Sequence, residues 1–134
     1  TFVVDIGSAQ GVSLADRVYL SGNIIIGAVT TVTKETSLVE LFSSGGNKQE
    51  SILSRTGTSF VLDGSGGSNF QLQVPKDTDV LWGDIFLYPG IDSSIIGSVY
   101  YIDSNSQSSF KTVHIRTPSN VFQSKSVFID TSIR

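Results

Sequence analysis

Val12-Ser13-Leu14-Ala15-Asp16-Arg17-Val18-Tyr19-Leu20, then Ile25-Ile26-Gly27-Ala28-Val29-Thr30-Thr31-Val32, returns later in the chain in altered form. The second copy is Val80-Leu81-Trp82-Gly83-Asp84-Ile85-Phe86-Leu87, then Ile95-Ile96-Gly97-Ser98-Val99-Tyr100-Tyr101-Ile102. The offset is 68 residues at the Asp and 70 at the Gly. Each copy reads as a turn carrying the Asp, a strand, a loop, and a longer strand with Gly near its start. An internal repeat of this kind marks duplicated supersecondary structure. Asp16 and Asp84 fit side-chain caps on turn amides. Gly weakens a strand unless the strand bends sharply or meets another backbone. Gly27 and Gly97 therefore read as the corners that small closed barrels require, and Gly7, Gly11 and Gly83 as turn positions. The expected fold is all-β, with little or no helix: two small packed β-barrels related by the repeat. Residues 1–66 form the first and 67–134 the second, with strands free to exchange between them in one compact unit.

The rest of the chain agrees. It holds 14 Val, 13 Ile and 11 Thr against 3 Ala in 134 residues, a balance that favours pleated sheet over helical bundle. Strand signals fall at Phe2–Ile6, Arg17–Ser21, Ile24–Val32, Ser37–Phe42, Ser51–Ser54, Ser59–Asp63, Phe70–Val74, Asp84–Tyr88, Ile95–Asp103, Phe110–Arg116 and Ser126–Asp130. Gly-, Ser- and Asn-rich loops are expected at Ser43–Gln49, Gly64–Asn69 and Asp103–Ser109. Pro118–Gln123 is the one place for a short helical turn. Ile24-Ile25-Ile26 and Val99-Tyr100-Tyr101-Ile102 are apolar on both faces if side chains alternate. One face fills a barrel; the other needs a cover, expected to be the second barrel of the same chain.

Composition removes several functions. With a net charge of −3, a sequence pI near 4.9 and no basic cluster, the chain offers no footprint for nucleic acid. The absence of Cys and a single His exclude Cys-based zinc sites, iron–sulfur clusters and cysteine nucleophiles. The longest apolar stretch, Ile24–Val29, is far below the roughly 20 residues that span a bilayer. Asp63-Gly64-Ser65-Gly66-Gly67 is similar to the nucleophile loop of chymotrypsin-like proteases. Its first two residues are inverted, however, and His114 follows the Ser instead of preceding it. His114 shares a mostly polar strand face with Phe110, Thr112 and Arg116. Asp77 and Asp79 flank a turn, and Asp103-x-Asn105-x-Gln107 lacks the Gly and distal Glu of a calcium loop. No catalytic residue, cofactor or metal is expected. Trp82, Tyr88 and Tyr100 are the candidate partner contacts, because aromatics are enriched at binding hot spots.

Val4-Asp5-Ile6-Gly7-Ser8-x-x-Gly11-Val12, Asn23-Ile24-Ile25-Ile26-Gly27-x-Val29-x-x-Val32 and Ser37-x-Val39-x-Leu41 resemble the extracytoplasmic β-region of the bacterial rod-shape-determining MreC family. Val74-Pro75, Asp79-Val80-x-x-Gly83-Asp84, Ile96-Gly97-x-Val99 and Pro118 continue the match in order. Leu87-Tyr88-Pro89-Gly90-Ile91-Asp92 departs from the family's usual Thr-Ser-Gly segment, and Thr117 stands where an acidic residue is common. The resemblance implies a non-catalytic scaffold of cell-wall elongation that maintains rod shape. The partners it implies are a second copy in dimers or filaments, the elongation penicillin-binding transpeptidase and an MreD-like membrane protein. It places the region outside the cytoplasmic membrane, anchored through a coiled coil and membrane helix upstream of Thr1. The alternative is a β-barrel module of a membrane-fusion or secretion adaptor.

Overall fold

The computed structural model describes residues 2–20, 23–90, 94–118 and 127–131. Eleven strands run in order: β1 Phe2–Val4, β2 Arg17–Tyr19, β3 Ile25–Val32, β4 Ser37–Leu41, β5 Lys48–Leu53, β6 Ser59–Gly66, β7 Asn69–Pro75, β8 Ile85–Leu87, β9 Ile95–Ser104, β10 Phe110–Arg116 and β11 Phe128–Asp130. The one helical element among the described residues is a 3₁₀ turn at Ser8–Gln10, bounded by Gly7 and Gly11. The all-β expectation holds. The short helix expected at Pro118–Gln123 falls, after Pro118, outside the described residues.

Two layers of pairing result. One sheet has the order β1-β4-β3-β2-β11, and the other closes into a barrel in the order β10-β7-β6-β5-β8-β9. The expected pair of barrels is thus one closed barrel beside one five-stranded sheet. The expected division between residues 66 and 67 falls in the hairpin of β6 and β7, both barrel strands. At the far end β11 returns to pair with β2, Phe128 opposite Tyr19 and Asp130 opposite Arg17. Strand exchange therefore runs both ways: β5 and β6 leave the first half for the barrel, and β11 leaves the second half for the sheet.

Strand boundaries shift where polar residues alternate. Lys48 to Glu50, read as loop and turn, belong to β5, with Gln49 inward and its amide donating to the Glu50 carbonyl at 2.8 Å. Gly64 to Gly66, read as a hairpin tip, extend β6 instead. The segment leading from sheet to barrel lies against this stretch. Gly66 N–H donates to Ser43 O at 2.7 Å and Gly64 N–H to Asn47 O at 2.8 Å. A Cβ at Gly64 would collide with the Ser44 carbonyl oxygen, so the glycine here allows two backbones to touch.

The cores follow the sheets. Leu53, Leu62, Phe70, Phe86, Ile96, Val113 and Ile115 fill the barrel. Val12, Val18, Leu20, Ile26, Val29, Val39 and Leu41 form the core of the open sheet. Ile25 packs into the barrel while Ile24 and Ile26 pack with the sheet, so the double-sided apolar run at the start of β3 is covered inside the chain. Ile95 N–H donates to Asn23 O at 2.7 Å beside a parallel bridge between Ile24 and Ile95, tying the layers through backbone as well.

Candidate functional site

The two repeat copies make the same corner. Asp16 Oδ2 accepts from Ser13 N–H at 2.9 Å, and Asp84 Oδ2 from Leu81 N–H at 2.8 Å. The residue before each Asp adopts positive φ, 68° at Ala15 and 83° at Gly83. Its N–H then donates to Val29 O at 2.8 Å in one copy and to Val99 O at 3.0 Å in the other. At Gly27 a Cβ would collide with the Glu40 carbonyl oxygen, and at Gly97 it would lie 2.7 Å from the Arg116 carbonyl oxygen. These are the close backbone approaches expected of strand glycines.

In the second copy Arg55 also grips the corner. Its Nε and terminal nitrogen donate to the two carboxylate oxygens of Asp84, both at 3.0 Å. It reaches Asp79 Oδ1 at 2.8 Å and Oδ2 at 3.2 Å. These hydrogen bonds hold both carboxyls below the ordinary carboxylate pKa and raise that of the guanidinium. Asp84 is buried, so a charged partner is what makes its ionised form tolerable there.

This corner presents Trp82, which is 62% exposed and meets Tyr101 edge-on at 5.6 Å between ring centroids. A bulge then gathers the other rings. His114 pairs with Tyr101 and Ile115 with Val99, leaving Tyr100 as an extra residue in β9. Two bulged residues facing one partner break strict alternation. Tyr100 and Tyr101 are accordingly both exposed, while Val99 is buried. His114 lies 6.1 Å from the Tyr100 ring and 5.5 Å from the Tyr101 ring, and the Arg116 guanidinium sits 4.0 Å over Tyr100. Trp82 and Tyr100 are thus brought into one aromatic patch on the outside of the barrel.

Tyr88 lies elsewhere. Its ring stacks on Phe42 at 5.5 Å, with the Arg17 guanidinium at 4.9 Å, in the joint between sheet and barrel. Sequence reasoning missed Arg116 and Arg55. Strict alternation places Tyr101 on the face opposite Tyr100, and only the bulge puts both outside. Arg55 lies 29 residues from Asp84 in sequence, and no local spacing signals that pair.

The remaining chemistry is structural. Ser65 is exposed near the end of β6, and Asp63 is ion-paired with Lys48. Asn105 Oδ1 accepts from Gln107 N–H at 3.0 Å, an ordinary turn bond. Among the described residues no group of three or more His, Cys, Asp or Glu side chains could hold a metal ion, and no helix is long and apolar enough to cross a membrane. What the molecule presents is surface: the aromatic patch of the closed barrel, and the two edge strands β1 and β11 of the sheet.

The family model described as rod shape-determining protein MreC, barrel core, matches residues 1–131. No curated protein matches the chain. Among solved structures, MreC from Pseudomonas aeruginosa is similar at 19% identity and a TM-score of 0.81, over 96% of this chain and 86% of that one. MreC from Listeria monocytogenes is similar at 20% identity and a TM-score of 0.72, over 95% of this chain and 65% of that one. A structure titled as the major periplasmic domain from the cell shape-determining filament MreC matches at 17% identity and a TM-score of 0.60, over 87% of this chain and 77% of that one.

Proposed function

The chain belongs to the MreC family of rod shape-determining proteins, which is non-catalytic, and on that premise we propose that it is an extracytoplasmic scaffold of cell-wall elongation. It self-associates, and it binds the elongation penicillin-binding transpeptidase and an MreD-like membrane protein. The observation that carries the reading is the contrast between a sheet that ends, among the described residues, in the strands β1 and β11 and a closed barrel with an exposed aromatic patch. Edge strands offer unpaired backbone groups for association. A closed barrel has none to offer and must bind through side chains. Self-association is assigned to β1 and β11, and the solved relative described as a filament supports it. The transpeptidase contact is assigned to Trp82 and Tyr100, residue types that dominate binding hot spots. Tyr88 contributes by fixing the angle between sheet and barrel.

The test is a titration of this region against the extracytoplasmic part of the same organism's elongation transpeptidase, with the division transpeptidase as control and light scattering on each protein alone. Saturable binding to the elongation enzyme only is expected. No binding up to about 100 μM, roughly −5.5 kcal/mol, removes that partner.

A further inference from the structure

Arg116 stands between two surfaces of different character. On one side its guanidinium covers Tyr100 at 4.0 Å, beside the exposed Trp82 and Tyr101. On the other it lines a polar cleft of about 400 Å³ with Gly67, Ser68, Asn69, Thr117 and Pro118. Arg116 is exposed and forms no ion pair among the described residues. Stacking uses the face of a guanidinium and leaves the N–H groups along its edge free to donate. A planar fork of donors matches a carboxylate, which it holds by two parallel hydrogen bonds. The positions in register around it do not supply one. Its own pair partners are Asn69 and Ser98, and His114 pairs with Gln71 and Tyr101. Asp103 lies further along β9, opposite Thr112. The aromatic side is apolar and the cleft side polar, with a cation at their border that no ion pair among the described residues compensates.

We propose that this composite surface binds an acidic peptide segment. A Glu or Asp carboxylate docks on Arg116 at the mouth of the cleft, and a neighbouring apolar side chain lies against Trp82 and Tyr101. The proposal rests on the partner-binding reading above and specifies the chemistry the partner must present there. Charge complementarity commits the surface to an acidic occupant. Barrel closure excludes strand addition at this site, because neither β9 nor β10 has a free edge.

The experiment is a nitrogen-15 NMR titration of the protein with the peptide acetyl-Phe-Glu-Leu-Glu-amide and with its Gln analogue. Saturable shifts are expected at the Trp82 indole N–H and the Arg116 side-chain N–H. The analogue should bind at least ten-fold more weakly, and binding should weaken as salt rises. Arg116→Gln should abolish the shifts, and Arg116→Lys should keep a residual response. Unchanged amide resonances of the Leu53, Leu62 and Val113 core positions would establish that each variant is folded. No saturable shift at millimolar peptide, or equal shifts from both peptides, overturns the proposal. Peptide binding without transpeptidase binding upholds this surface and removes only the named partner. Transpeptidase binding that survives Arg116→Gln undiminished removes this surface and leaves the partner.

Discussion

The unit β2–β3–β4 and the unit β8–β9–β10 are two solutions to one backbone problem. Both turn on an Asp-capped corner with a residue at positive φ. Both carry a register shift where the short strand meets the long one, at Val18/Tyr19 and at Phe86/Leu87. Both carry a second bulge at equivalent positions, skipping Thr30 in β3 and Tyr100 in β9. The difference lies in what surrounds them. The first unit is flanked by β1 and β11, each of three residues, and among the described residues the sheet ends at these two strands. The second is closed by β5, β6 and β7. At the bulge, Thr30 turns its hydroxyl back to the Leu38 carbonyl at 3.3 Å, whereas Tyr100 projects a ring to solvent. The same corner therefore sits beside strands at the edge of a sheet in one place and beside a surface of exposed rings in the other.

The largest test of that equivalence is at the strand glycines. Gly27→Ala and Gly97→Ala each drive a methyl into a backbone carbonyl, and each is expected to cost about 3 kcal/mol or more in urea unfolding. Because Ile25 is shared with the barrel core, both variants should lose sheet and barrel in one transition. Two separate transitions would break the comparison by showing that the units fold independently.

Next in size is Asp84→Ala, which deprives Leu81 N–H and Arg55 of their acceptor and should cost about 2 kcal/mol. The acid dependence follows the same clamp. A carboxyl with a depressed folded pKa contributes stability that is complete above its unfolded value, about 3.9, and that fades as pH falls toward the folded value. Asp79 and Asp84 both shift this way. Stability should therefore drop below about pH 4 in the wild type, and less steeply in Arg55→Met, as read by thermal melts across that range.

The smallest and sharpest test exchanges the corner residues. An L side chain pays about 1 kcal/mol in the left-handed region. Gly83→Ala should therefore destabilise by about that much, and Ala15→Gly should stabilise by slightly less, because glycine gains entropy in the unfolded chain. Effects of the same sign would mean the corners are not equivalent.

Period-2 alternation, the β-branched composition and the Asp-bearing turns are local, and they made the all-β class, nearly all the strand positions and the duplicated corners legible from residues alone. Gly27, Gly97, Asp16 and Asp84 were readable because each repeats in a fixed setting. The strand exchange was not readable. Which strand closes a barrel is decided by partners far apart in sequence, and nothing within β5, β6 or β11 specifies a neighbour. The patch was half readable. Trp82 and Tyr100 stood out by residue type, but Tyr101 joined them only through a bulge that alternation conceals, and Arg116 only through its stack on Tyr100. The amino-acid order by itself determined that this chain pleats and where its two repeated Asp-bearing corners and their strand glycines fall. The tertiary structure alone decided which strands close into the barrel and which side chains share a surface. Pairing between distant strands sets both, and its register depends on the whole packed core.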